Sequence, residues 1–336
     1  MMTYWYPGVH ATIKVLKSVY ADTPIILGGV YATLCPDHAR AHMGADRVVT
    51  GPAEEVILPI VDELSGFSSH RQFDPKDPDS YPLPAFDLQN VINFVPLLTI
   101  RGCPYRCAYC AGHRLFKGLQ RRQPEAVLEE MIYWHRKFGV SDFVFYDDAL
   151  LVDADQHVTP LLEGVLAAGH PFRFHTPNAI HINRLTPALA RLMHRAGFKT
   201  LRLGLETIEF DTRSEMDQKV TARQFAQAVG WLKAAGFSKR QIGAYLLIGL
   251  PGQSMASILT SIKMVKRTGI TPVPAYYTPI PGTALWAKAA AASRYDLASD
   301  PIFTNNALMP CRKKPFAWSD LTKVKANAHG GEPSGL

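Results

Sequence analysis

The hydrophobic positions fall into short apolar runs separated by stripes of helical period. Between residue 97 and about residue 279 the alternation is regular. Residues 97–100, 142–146, 172–175, 201–205, 242–248 and 273–277 read as six strands, each a brief apolar run between turn residues. Helices fit between them. In 125–138, Val127, Leu128, Met131, Ile132 and Trp134 cluster at helical spacing behind Pro124. A second helix lies near 155–168. The next is framed by Thr186 as N-cap, Pro187 in the first turn and Gly197 past its end. Thr221 caps a helix carrying Phe225, Val229 and Leu232, and another with Ile258, Ile262 and Val265 ends at Gly269. Six strand–helix units predict an α/β fold: a parallel sheet curled into a partial barrel, two units short of an eight-fold one.

The flanks differ. Residues 1–66 carry a helical face of Val9, Ile13, Leu16 and Tyr20, two short strand-like runs at 24–27 and 48–49, and a helix from Glu54 to Leu64. Two strands make a marginal sheet alone, so this segment reads as part of a larger α/β domain entered halfway. Residues 67–96, with Pro75, Pro78, Pro82, Pro84 and Pro96 among several Asp, read as a connector. Residues 284–336 form an extension in which 284–292 and 320–326 look helical; the tail from His329 has disorder-prone composition.

Composition narrows the class. At 47% hydrophobic and 19% charged, the chain can build a real core and is not broadly disordered. The net charge of +7 is spread along the chain, and the runs Arg121-Arg122 and Arg312-Lys313-Lys314 read as solvated faces, so nucleic acid is not indicated. No apolar stretch has the length of a membrane span, and no signal peptide is visible. Five cysteines, three of them crowded, argue against a disulfide framework and for a metal site in a reducing, cytoplasmic setting.

Those three stand in Cys103-Pro104-Tyr105-Arg106-Cys107-Ala108-Tyr109-Cys110, directly after the first barrel strand. Loops after strands build the active face of such barrels. Three thiolates spaced C-x3-C-x2-C can hold three corners of a four-iron cluster and leave one iron open. Zinc is the competing reading. It needs a fourth ligand, and Cys35, Cys311 and His113 are poorly spaced to supply one.

The segment Arg101 to Cys110 resembles the cluster loop of radical S-adenosylmethionine (SAM) enzymes, and its flanks are similar to the branch that carries an N-terminal cobalamin-binding domain. The resemblance spans roughly residues 3–310. It implies a six-stranded TIM-like partial barrel preceded by the second half of a Rossmann-like cobalamin-binding domain. It also implies a [4Fe-4S] cluster on Cys103, Cys107 and Cys110, with SAM chelating the open iron. Reductive cleavage of SAM would then give methionine and a 5′-deoxyadenosyl radical that modifies, or helps methylate, a small molecule, lipid or peptide. An electron donor such as flavodoxin or ferredoxin follows from that chemistry.

Further positions match the same pattern. Tyr109 takes the aromatic place beside the adenine end of SAM. Asp147-Asp148 ends the second strand, where the resemblance implies a grip on the methionine amino group, although the sequence has Tyr-Asp-Asp in place of Gly-Gly-Glu. Glu206 after the fourth strand is implied to contact the ribose or methionine part. Gly249 and Pro251, in Ile248-Gly249-Leu250-Pro251-Gly252, resemble the adenine-side backbone motif, and residues 278–283 a closing Pro-x-Pro-Gly-Thr motif. Asn178, after the third strand, is either a helix cap or a cavity residue. Gly28, Gly29 and Gly51 resemble the turns that approach the cobalamin tail. None of the twelve histidines stands in the D-x-H-x-x-G motif of a lower cobalt ligand, so the first half-domain is expected to lie outside this chain or to be degenerate. Two other readings stay open: a methylthiotransferase-like RNA-modifying enzyme, and a non-catalytic iron–sulfur remnant.

Overall fold

The computed structural model describes residues 3–68, 73–209, 216–217, 220–312 and 318–329. The tail beyond residue 329, and Lys313 and Lys314 of the second basic run, lie outside the described residues.

The N-terminal unit contains α1 (Tyr6–Val19), β1 (Ile26–Leu27), α2 (Val30–Leu34), α3 (Pro36–His42), β2 (Arg47–Val48) and α4 (Ile57–Ser65). β1 and β2 pair in parallel as a two-stranded sheet. Ile13, Leu27, Tyr31, Ala32, Ala39 and Met43 form its small core. Only Ile13 is buried in α1 and no residue is buried in α4, whereas Val15, Val19 and Tyr20 are exposed.

The main sheet is formed by β3 (Val95–Leu97), then, after the hairpin strands β4 (Ile100–Arg101) and β5 (Gln120–Arg121), by β6 (Asp142–Phe145), β7 (Arg173–His175), β8 (Phe198–Glu206), β9 (Ile242–Ile248) and β10 (Thr271–Tyr276). Its spatial order is β10-β9-β8-β7-β6-β3, every pair parallel, which is the expected six-stranded partial barrel. The prolines sit where a sheet tolerates a missing donor: Pro96 is in edge strand β3, and Pro272 and Pro274 are in edge strand β10. The connecting helices are α5 (Gly112–Leu115), α6 (Pro124–Phe138), α7 (Val158–Ala168), α8 (Pro187–Ala196), α9 (Ala222–Ala234) and α10 (Met255–Arg267). The buried stripes of α6 to α10 close one continuous core over the sheet, in which Phe145 stacks on Phe198 at 5.9 Å and Phe174 lies 5.5 Å from Phe145. The caps read from sequence are made: Thr186 accepts from Leu189 N, and Thr221 and Gln224 form a reciprocal capping box.

The first barrel strand differs from the expected 97–100. β3 ends at Leu97, and Ile100–Arg101 turn away to pair antiparallel with Gln120–Arg121. The cause is a side chain. The carboxylate of Asp147, at the end of β6, accepts the N–H groups of both Thr99 and Ile100 and so bends the strand.

The connector is pinned at several points. Asp79 accepts from Arg122 Nε at 2.8 Å and from Gln123 N, and Arg122 also pairs with Glu130. Arg121 pairs with Asp153, so the basic run at 121–122 is neutralised within the fold. After β10, α11 (Trp286–Ala292) and α12 (Trp318–His329) complete the chain. Arg294 holds the carbonyls of Leu308, Met309 and Arg312. The N-terminus docks on this extension: Thr3 and Thr304 hydroxyls lie 3.0 Å apart in a buried contact, and Tyr6 donates to Asp300 at 2.8 Å.

Candidate active site

The three-cysteine loop leaves β4 through Gly102, which has φ +86. A Cβ there would stand 2.2 Å from the carbonyl oxygen of Gly118 and 2.9 Å from Phe116. No side chain fits, so glycine is required both by conformation and by space. Cys103 is then half-buried, Cys107 buried and Cys110 exposed. Cys110 N donates to Cys107 O, closing a tight turn, and Gly112 N donates to Cys110 Sγ at 3.3 Å. Among the described residues no three His, Cys, Asp or Glu side chains converge closely enough for a single ion. A four-iron cube makes a different demand, with each thiolate on a separate corner. The open loop, with a backbone donor turned to the Cys110 sulfur, fits that group.

The loop is braced from two sides. Ala108 N donates to Met216 O, and Ala108 O accepts from Leu285 N. Tyr105 OH donates to Asn183 Oδ1 at 3.2 Å and accepts from Arg184 Nε at 2.9 Å. These brackets come from the loops after β8, β10 and β7, so the strand ends converge on the cysteines as the alternation implied.

Tyr109 and Glu206 are brought together. Tyr109 OH lies 3.3 Å from Asp217 Oδ2. Its phenol is pushed well above the usual range by burial first, then by the charges of Glu206, Cys107 and Asp217. Glu206 is buried and has φ +63, a left-handed conformation that a non-glycine residue rarely adopts. A register slip between Gly204 and Glu206 breaks the β8–β9 pairing just there. Such strain, about 1–3 kcal/mol, persists where the surroundings hold it, commonly at functional sites. Asp217 carries no signal in the sequence, because it lies eleven residues past the end of β8 and on no periodic pattern.

Gly249 has φ +90 at the end of β9, and its N–H is given to Gln253 Oε1 at 2.8 Å. Met309 closes over it, since a Cβ on Gly249 would meet its sulfur at 2.9 Å. Pro251 follows, half-buried. Asn178 is neither cap nor open ligand group: its amide donates to Tyr146 O at 2.6 Å and ties the loop after β7 to the end of β6.

The Asp147-Asp148 pair splits. Asp147 is buried, and its Oδ1 accepts from Thr99 N at 2.8 Å, Thr99 Oγ1 at 2.7 Å and Ile100 N. Asp147 Oδ1 thus grips the base of the loop, while its Oδ2 has no hydrogen-bond partner among the described residues. Because the Thr99 hydroxyl donates to Asp147, His157 Nε2, at 2.8 Å from that hydroxyl, must be the donor to it. Burial pushes the Asp147 carboxyl up to about 7 and the His157 imidazole down to about 4. A carboxyl raised on folding adds stability below its unfolded value of 3.8 and loses it as pH climbs toward 7. Asp147→Asn should therefore gain on the wild type between pH 4 and 7, by up to a few kcal/mol. Denaturant unfolding of both proteins across that range checks it; parallel curves would remove Asp147 as the cause.

Asp148 is exposed and lines a cavity of about 380 Å³ with Gly29, Thr33, Gly51, Arg101 and Gly102. Gly29 (φ +88) and Gly51 (φ +77) have open space where a Cβ would stand, so the two glycine turns and the cluster loop share one hollow. Gly28 lies beside it, its Cβ position 3.8 Å from Val49 O. The turns fit a ligand that approaches the backbone closely. The hollow lies near the low end of the size of ordinary ligand pockets, so it fits an edge or tail of cobalamin and cannot enclose the corrin.

Fold and site define a six-stranded parallel partial barrel with a three-cysteine loop at its strand ends. Residues 97–265 match the radical SAM superfamily profile, and the chain belongs to that superfamily. Membership implies a [4Fe-4S] cluster and SAM. The chain is 24% identical to the uncharacterized methyltransferase PH0819 of Pyrococcus horikoshii, over 95% of this chain and 74% of that one. It is 25% identical to the bacteriochlorophyllide d C-12(1)-methyltransferase of Chlorobaculum tepidum, over 77% of this chain and 58% of the relative. Among solved structures, the radical SAM methyltransferase TsrM from Kitasatospora setae superposes with a TM-score of 0.70 at 16% identity, covering 87% of this chain and 63% of that one. The cobalamin-dependent radical SAM enzyme OxsB aligns with a TM-score of 0.61 at 14% identity, over 83% of this chain and 45% of its own. The chain thus spans only part of each relative's length. At these identities the structural likeness establishes the fold.

Proposed function

We propose that this chain binds a [4Fe-4S] cluster through Cys103, Cys107 and Cys110, cleaves SAM reductively, and modifies a substrate by a radical route, methyl transfer being the favoured outcome. The observation that carries the reading is the convergence of the cysteine loop, Tyr109, Glu206 and Asp217 at the strand ends. The methyltransferase names of the relatives support the outcome. The cluster and SAM supply one-electron cleavage of a carbon–sulfur bond; the chain binds, orients and excludes water. Glu206 supplies a buried carboxylate for the ribose hydroxyls or the ammonium of SAM. Asp148 is the remaining acid of its pair for the amino group. Tyr109 walls the adenine side, where Gly249 and Pro251 close the turn after β9. All five cysteines are free of disulfides, which suits a reducing cytoplasm and a flavodoxin- or ferredoxin-like donor. No helix among the described residues is long and apolar enough to cross a membrane.

Anaerobic reconstitution with iron and sulfide, followed by reductant and SAM, should release 5′-deoxyadenosine. A loaded cluster that yields none under any reductant would leave the non-catalytic reading standing. Glu206→Gln keeps shape and removes charge. It should weaken SAM binding by about 1.5–3 kcal/mol with cluster content unchanged, as measured by equilibrium dialysis. Equal SAM affinity in the two proteins would take Glu206 out of the site.

Cobalamin is tested separately. A ligand pocket buries most of its ligand, and the hollow at Gly29 and Gly51 is too small for that. The chain mixed with hydroxocobalamin should lose the corrin absorption on desalting. Stoichiometric retention would show that residues 3–68 suffice.

A further inference from the structure

His181 is buried at 4% exposure in the turn after β7, 78 residues from the cysteine loop. Its backbone is fixed from both sides. Ile180 bridges to Leu203 of β8, donating to Arg202 O and accepting from Gly204 N, and Ile182–Arg184 form a 3-10 turn. From this anchor the imidazole places Nε2 3.8 Å from Cys103 Sγ, a contact that the large radius of sulfur makes a hydrogen bond. The ring is held in that attitude by Tyr105, which stacks on it at 4.5 Å and 28°. Tyr105 is itself gripped by Asn183 and Arg184. The same short turn thus holds both a cysteine of the loop and the aromatic residue two places on.

We propose that His181 donates its Nε2–H to the Cys103 thiolate and thereby raises the reduction potential of the cluster that this loop holds. The inference rests on the cluster reading above. Its physics is simple. A thiolate on iron carries negative charge, the reduced cluster carries one charge more than the oxidised one, and an N–H dipole aimed at sulfur favours the more negative state. Hydrogen bonds to cluster sulfurs and burial are among the levers that set such potentials. The imidazole end of the contact is buried, so the dipole is screened less than it would be in water. Cys110, by contrast, is exposed and receives a backbone N–H from Gly112, which no side-chain substitution removes. His181 is therefore a positioning residue that acts through Cys103.

The test is an EPR-monitored redox titration of the reconstituted full chain without SAM or substrate. His181→Phe keeps a ring for Tyr105 and removes the donor. His181→Leu removes both, and His181→Gln keeps a donor amide. The expected result is wild-type iron content in all three. The midpoint potential should shift to more negative values in the Phe and Leu variants, with the Gln variant between them and wild type. Failure of both donor-free variants to load, with Gln loading at near wild-type potential, supports the same assignment. An unchanged potential in a loaded Phe variant overturns it, and so does loss of the cluster in all three, which would make the position one of packing. A wild-type chain that takes up no cluster overturns the cluster reading itself, a result distinct from an unchanged potential.

Discussion

Replacing any one of Cys103, Cys107 or Cys110 by alanine should abolish the visible iron–sulfur absorption of the reconstituted protein and all release of 5′-deoxyadenosine. On the proposed reading each supplies one of the three thiolates that hold the cluster. Cys35 and Cys311 are the control. Burial pushes the Cys35 thiol up to about 11 and the Cys311 thiol up to about 12, so both remain protonated, and the metal ligand is the thiolate. Cys311 sits in an apolar cluster with Tyr277, Leu285 and Leu250, against which Ala108 and Tyr109 pack. Cys35→Ala and Cys311→Ala should load normally, with a modest loss of stability for Cys311. If Cys311 proved as necessary as the triad, the cluster would be closed by four thiolates, with no iron left for SAM.

Gly102→Ala should be nearly as damaging without touching a ligand. An alanine Cβ would stand 2.2 Å from the Gly118 carbonyl, at φ +86. The conformation alone costs about 1–3 kcal/mol, and the collision with backbone cannot be relieved by a rotamer change. The β4–β5 hairpin must open, and the cysteine loop loses its base. Gly118→Ala is the matched comparison. Gly118 has φ +91 with nothing within 4 Å of its Cβ position, so only the conformational cost applies. Thermal melts and iron content should separate the two variants clearly. Equal losses would show that the contact between Gly102 and Gly118 is not what holds the loop.

Much of this was legible in the residues. Ile242–Ile248 has the bounds that its apolar run predicts, and α8 and α9 begin at the caps that Thr186 and Thr221 announce. These are local decisions, made by side-chain period and by unsatisfied N–H groups within a few residues. The three-cysteine loop was likewise legible, because C-x3-C-x2-C is a contiguous motif. Glu206 was found because an acid ending an apolar strand needs a reason to be buried.

Other features depended on groups far apart in the chain. The adjacent acids Asp147 and Asp148 look alike in sequence. Which one turns inward depends on Thr99 and Ile100, some 48 residues earlier, whose N–H groups hold Oδ1 of Asp147. Asp217, Asn183 and Arg184 reach the cysteine loop only because the loops after β7 and β8 fold back over it. The nearest histidine in sequence is His113, yet the imidazole against a cysteine is that of His181. The docking of Thr3 and Tyr6 on Thr304 and Asp300, across nearly the whole chain, left no trace in periodicity. By itself the sequence determined the elements, their parallel order and the three-cysteine loop after the first strand, because those follow from short-range pattern and motif. Tertiary structure decided which polar groups face the cavity and which hold the scaffold, because a buried polar group takes whatever partner packing brings within reach.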